Sequence, residues 1–348
     1  MSNPRQNASG FTLLELMITI FMLSIVLVAV SPMIAQQQAN ARKLLQSEEI
    51  RRNKIVATAL LTNAADNTAL GTLRAPVTFG TVTSGIYNPG DSTAANLAFG
   101  NVIAQGGVIA NAINTDAKST KPRAYQMVTG LSKTTPLFFR NGPTITLNYE
   151  FGAIYSTECL ATSCNPTVAT GLPGDSIVLT AANITSWDIA GDDFGVIPIS
   201  TLSLQKSMQE LTGTKLNELR DYFRNYVNAK QLEAESGLGT NFFPIPTGAG
   251  ASDFSGANPT SNQGCHNGWY SLASGTVNVL AQLNLTSDEY AATAWGADIQ
   301  YCADYDPSAT GTSTADAAPH NGALRVNKNL STGAPPSGTA ADNVVLPI

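Results

Sequence analysis

Phe11 to Ala35 reads FTLLELMITIFMLSIVLVAVSPMIA, an apolar run of 25 residues interrupted by one ionisable side chain, Glu15, and one proline, Pro32. As a helix rising about 1.5 Å per residue it is about 37 Å long, enough to cross a hydrocarbon layer of about 30 Å with some tilt. The run therefore predicts a membrane-entering helix near the N-terminus. A cleaved secretory signal fits it poorly, because the best small-x-small site, Ala29-Val30-Ser31, is followed directly by Pro32. A plain anchor leaves Glu15 unexplained: a lone carboxylate in lipid is costly and points to a partner.

Around this segment, 348 residues with 43% hydrophobic content suggest about two domains with ample core material. Charged residues make up 13%, and 19 basic against 25 acidic side chains give −6, which argues against general nucleic-acid binding. The only histidines are His266 and His320, which leaves little for histidine-based metal sites or catalysis. Neither a GxxxxGK[ST] phosphate loop nor a GxSxG elbow is present. With no constellation for nucleophilic or acid-base chemistry, a non-enzymatic protein is expected.

The residues Gly10-Phe11-Thr12-Leu13-Leu14-Glu15-Leu16 resemble the processing signal of type IV prepilins and the related pseudopilins. The resemblance implies a leader at 1–10, cleavage after Gly10 by a membrane prepilin peptidase, and an N-methylated Phe11 opening an assembly helix at 11–35. It extends to Pro32, which in many pilins breaks the apolar helix. Glu15 then has a role, since pairing with the Phe11 ammonium of a neighbouring subunit removes two unpaired charges from an apolar bundle. Implied partners are other pilin or pseudopilin subunits, the prepilin peptidase and an inner-membrane assembly platform. The implied location is the bacterial inner membrane with a periplasmic head, then an extracellular pilus or periplasmic pseudopilus. Charge counting conflicts with this orientation: Arg5 alone precedes the span, whereas Arg42, Lys43, Arg51, Arg52 and Lys54 follow it. The cysteines and the long head favour the exterior nonetheless.

Downstream, two parts are expected: a stem helix with a β-rich lobe over 36–200, and a second helix with a β-rich lobe over 201–348. From Gln36 to about Asn67 the chain lacks glycine and proline, so the helix should continue, resting Ile50, Ala57 and Leu61 on a sheet and leaving its basic residues on the solvated or subunit-facing side. Beyond Gly71 short strands are expected, most clearly in TITLNYEF, where Ile145, Leu147, Tyr149 and Phe151 alternate, with others at Ser176–Leu179 and Phe194–Ile199. Asn88 to Asn96 reads as an exposed loop. Leu216, Leu219, Phe223, Tyr226 and Val227 share one helical stripe, and Gly213 should separate it from a shorter helix opened by the Ser207-x-x-Glu210 capping pattern. The fold class is therefore α+β: a long N-terminal helix packed on an antiparallel sheet, with either a second pilin-like lobe or one enlarged head. Asp306 to Asp342 should form loops around a strand at Leu324–Val326, and Asn343–Ile348 an edge strand.

Four cysteines allow three pairings; joining Cys159 to Cys164 and Cys265 to Cys302 keeps each bridge within one lobe and is the expectation. Zinc held by cysteines with His266 is the rival, disfavoured by an oxidising exterior and by spacing that is not CxxC. Asp298, Asp304 and Asp306 near Cys302 are candidate calcium ligands, as in the C-terminal loop of major pseudopilins, but they lack a defined ligand spacing. No other cofactor is indicated. The functional expectation is a filament subunit, a large minor pilin by its size, with a type II secretion pseudopilin or a non-polymerising membrane-tethered adhesin as alternatives.

Overall fold

A computed structural model describes residues 13–66, 70–79, 82–85, 92–107, 124–138, 142–155, 179–182, 184, 196–234, 239–245, 254–255, 263–266, 268–274, 279–308 and 320–348. One helix, α1 (Leu13–Ala64), takes up 52 residues and is about 78 Å long. It contains no glycine. Helical backbone continues on both sides of Pro32, so the break expected there reduces to one missing donor.

The second half of α1 packs on a lobe built from β1 (Val77–Phe79), β2 (Val82–Gly85), α2 (Ala94–Gln105), β3 (Ala124–Pro136), β4 (Thr144–Tyr155) and β5 (Ile197–Ser200). The strands form one antiparallel sheet in the order β1-β2-β3-β4-β5, with Tyr125 opposite Ile154 and Gly152 opposite Ile199. Val56, Ala57 and Leu60 of α1 meet Phe99, Val102 and Ile103 of α2 and Tyr125, Ile154 and Ile199 of the sheet. This corrects the expected stripe: Ala57 is buried, whereas Ile50 and Leu61 are only partly so, because the helix turns its Asn53-Val56-Leu60-Ala64 face inward. Helix α2 is a second correction, since an exposed loop was expected up to Asn96. Thr93 caps the helix by accepting from the Asn96 N–H, and Asn96 itself is buried. Leu179 is buried and lies in no strand, its N–H bonded to the Gln126 side chain, and residues 176–178 of the strand expected there lie outside the described residues.

The second lobe begins with α3 (Leu202–Ala234), followed by β6 (Phe254–Ser255), β7 (Trp269–Ser271), two one-turn helices α4 (Val279–Gln282) and α5 (Ser287–Tyr290), then β8 (Gln300–Cys302), β9 (Ala323–Asn327) and β10 (Asn343–Pro347). These strands form a second antiparallel sheet ordered β10-β9-β8-β7-β6, with β10 at one edge as expected. Helix α3 is continuous through Gly213, against expectation, and the Ser207 hydroxyl donates back to Ser203 O instead of capping. Gly213 serves packing: a β-carbon there would lie 3.2 Å from Leu137 O, at the tip of the β3–β4 hairpin. Leu216, Leu219 and Phe223 then sit between the β4 residues Ile145 and Leu147 and the second sheet. Phe223 stacks on Tyr301 with ring centres 4.5 Å apart.

Both sheets therefore bear on α3, and further bonds join the lobes. The outer edge of β4 donates from Thr146 N to Lys328 O and from Asn148 N to the Ser331 hydroxyl, and the Thr201 hydroxyl accepts from Glu150 N. Arg325 is buried with its guanidinium 4.6 Å from the Trp269 ring centre and bonded to Gln300 and Gln263. Burial brings its pKa down to about 10, so it stays charged at neutral pH.

Candidate functional site

Among the described side chains, nothing packs on the first half of α1. Every large apolar side chain from Leu16 to Ile34 is exposed, from 41% at Val30 to 74% at Val28. An apolar surface of this extent all around a helix needs lipid or other helices as its surroundings. Two of its hydroxyls are turned back on the backbone: that of Ser24 donates to Phe21 O at 2.7 Å and that of Ser31 to Leu27 O at 2.6 Å. No hydroxyl of that pair carries an unmet hydrogen bond into hydrocarbon. This helix is long and apolar enough to span a bilayer.

Gly10 and Phe11 lie outside the described residues, and Glu15 is described only as helical backbone. Pro32 sits in the exposed half of α1, next to the self-satisfied Ser31.

Further along, the stem becomes charged. Glu48 accepts two bonds from Arg51 at 2.8 Å and one from Arg52 at 3.0 Å, and these guanidinium bonds hold its carboxyl down at about 2. Arg52 also lies 3.6 Å from Glu49, which is buried, so the basic run is not wholly on the solvated side. At the junction with the head, the carboxyl of Glu150 accepts from Leu73 N–H, and burial raises its pKa.

Cys265 and Cys302 form a disulfide with Cα atoms 5.9 Å apart, so neither is available to zinc. Cys159 and Cys164 lie outside the described residues. The three candidate calcium ligands are engaged separately: Asp298 accepts from the Ser271 hydroxyl, Asp304 lies 3.4 Å from His320, and Asp306 accepts from Ser308. Among the described residues no three His, Cys, Asp or Glu side chains come together to hold a metal ion. His266 donates its backbone N–H to Asp304 O.

Sequence reasoning missed Gln205. Its amide donates to Leu70 O at 3.1 Å and accepts from the Trp295 indole at 2.7 Å, fastening the end of the stem to the second lobe. A single glutamine in a helix gives no sequence signal of that role.

Comparison with known proteins adds one finding: residues 5–31 match the prokaryotic N-terminal methylation motif. No curated protein and no solved structure gives a significant match to the chain. The motif contains Gly10, Phe11 and Glu15 and ends one residue before Pro32. The chain thus carries a type IV pilin or pseudopilin-like prepilin segment continuous with an uncovered apolar helix and an α+β head.

Proposed function

We propose that this prepilin-type, membrane-anchored chain is a structural subunit of a type IV pilus-like filament, and specifically a large minor subunit. The observation that carries the reading is the continuity of the methylation motif with a helix whose apolar surface is exposed on all sides. Prepilin peptidase removes residues 1–10, the helix waits in the inner membrane with the head on the periplasmic side, and assembly transfers the apolar surface from lipid to neighbouring helices. Glu15 meets the Phe11 ammonium of an adjacent subunit, which fixes axial register where apolar contacts alone are nearly equivalent from turn to turn. The whole chain, leader included, is 36.4 kDa, large for the repeating body of a fibre, which suits low copy number. The role is structural and assigns no reaction and no cofactor.

Immunogold labelling of sheared surface fibres tests it. Labelled fibres are expected. Label confined to the cell envelope overturns the pilus reading, and fibres confined to the periplasm make the chain a secretion pseudopilin.

A further inference from the structure

Where the second lobe closes on the outer edge of β4, the two leave a hollow of about 440 Å³. Thr146 of β4 lines it from the first lobe, and Asn327, Lys328 and Asn329 at the end of β9, with Ser337 and Asp342 on the loop before β10, line it from the second. Two backbone bonds clamp these segments together, from Thr146 N to Lys328 O at 3.0 Å and from Lys328 N to Asp342 O at 2.6 Å.

Part of the polar lining is consumed in holding this shape. Asn327 is buried, accepts from Asn329 N at 2.8 Å and donates to Pro335 O at 2.9 Å. The Asn329 side-chain oxygen accepts from Asn148 at 3.1 Å, and the Ser337 hydroxyl donates to one carboxylate oxygen of Asp342 at 3.3 Å. The rest is unspent. The amide N–H groups of Asn329, the Lys328 ammonium, the Thr146 hydroxyl and the second Asp342 oxygen make no bond to any described residue.

The lining also selects a class of ligand. Ala341 supplies its only apolar side chain, so an acyl chain, an aromatic ring or the apolar anchor of a peptide finds nothing to pack on. One ammonium with one carboxylate leaves the lining near neutral, which disfavours a polyanion, and a single carboxylate is too few hard ligands for calcium. A near-neutral mixture of donors and acceptors matches a run of hydroxyls, each of which both donates and accepts. The volume suits a small ligand.

We propose that this hollow binds a neutral saccharide and gives the head an adhesive function. Asp342 accepts from ligand hydroxyls, Asn329 and Lys328 donate to them, and Thr146 serves either way. The supporting bonds are made before any ligand arrives, so little ordering cost falls on binding. The site belongs to the head and does not depend on the filament reading. Another cell's surface glycan and the producing cell's own envelope polysaccharide offer the same chemistry.

The full-length chain, held in a detergent without a sugar headgroup, is titrated against an array of neutral oligosaccharides and against polysaccharide from the producing cell. Binding to at least one neutral saccharide is expected. Asp342→Asn with Lys328→Gln should weaken it by about tenfold, and Thr146→Ala, which keeps the backbone bond to Lys328, by about threefold. Asp288→Asn, outside the lining, should bind as wild type does. Binding confined to the array supports the site and assigns it to contact with other cells; binding confined to the producing cell's polysaccharide supports it and assigns it to a shared matrix. Melting curves show which variants keep the fold, and if the double variant does not, Thr146→Ala decides. Failure of the folded wild-type chain to bind any neutral saccharide overturns the proposal, as does unchanged affinity in the folded variants. Binding of peptides or acidic sugars alone overturns it too.

Discussion

Trp295 donates its indole N–H to the side-chain oxygen of Gln205 across 2.7 Å in a buried site, where the other end of the same amide bonds Leu70 O. Gly71 makes this approach possible. It adopts φ of +81°, and a β-carbon there would collide with the Gln205 amide. One side chain on α3 thus ties the end of the stem to the second lobe.

Gln205→Met should therefore destabilise the head by about 3 kcal/mol, since it keeps much of the volume but leaves an indole donor and a carbonyl without partners. Chemical denaturation followed by tryptophan fluorescence measures the loss. A midpoint equal to wild type would show that the tie carries no weight.

Glu150 gives the head a pH dependence. Burial raises its folded pKa above the unfolded carboxyl value, so the fold binds the proton more tightly. The contribution is most favourable below the unfolded value and is lost as pH rises through the folded one. Glu150→Gln, whose amide oxygen can still accept from Leu73 N–H, should raise stability at pH 7 and flatten the decline that begins near pH 4.5. Melting curves from pH 4 to 8 decide it, and an identical slope in the variant refutes the assignment.

The bond between Cys265 and Cys302 closes a loop of sequence separation 37, and on the chain-entropy account stabilises by about 4 kcal/mol. Reduction, or the double change Cys265→Ala with Cys302→Ala, should lower the melting temperature of the head. Alkylation of the unreduced protein should label neither position. Labelling of both would mean that the bridge does not form in the cell.

Gly10 should be needed for processing, because a peptidase site shaped for close backbone approach has no room for a side chain there. Replacing it with a bulky residue should leave uncut precursor. Mass analysis of the mature wild-type chain should give a start at Phe11, and any other start refutes this cleavage site.

Glu15→Ala should insert and be cleaved normally yet enter fibres poorly, with Glu15→Asp intermediate, because only the carboxylate offers the Phe11 ammonium a partner in an apolar bundle. Quantifying the variant in sheared fibres against the membrane pool settles it. Equal incorporation of the alanine variant would remove Glu15 from the mechanism.

What the chain discloses in one dimension follows from which forces act locally. Helix α1, the alternating strand β4 and the edge strand β10 are legible because hydropathy and period fix them without reference to distant residues. The continuity of α3 through Gly213 was not, since the glycine answers to the hairpin tip at Leu137 and not to its sequence neighbours. The buried cation of Arg325, held by Trp269, Gln300 and Gln263, is likewise decided by residues far apart in the chain. Helix α2 is short and lies in a region of loop-forming composition, and it gains its place by packing Phe99, Val102 and Ile103 on α1.

The outer edge of β4 has one more consequence. Thr146, Asn148 and Glu150 all spend their edge N–H groups on residues from the β5–α3 turn onward, and Phe151 to Ile154 pair with β5. A long strand left open would be a template for edge-to-edge aggregation among copies crowded by a shared membrane. By closing it from within, the second lobe leaves the heads with one fewer way to stick together.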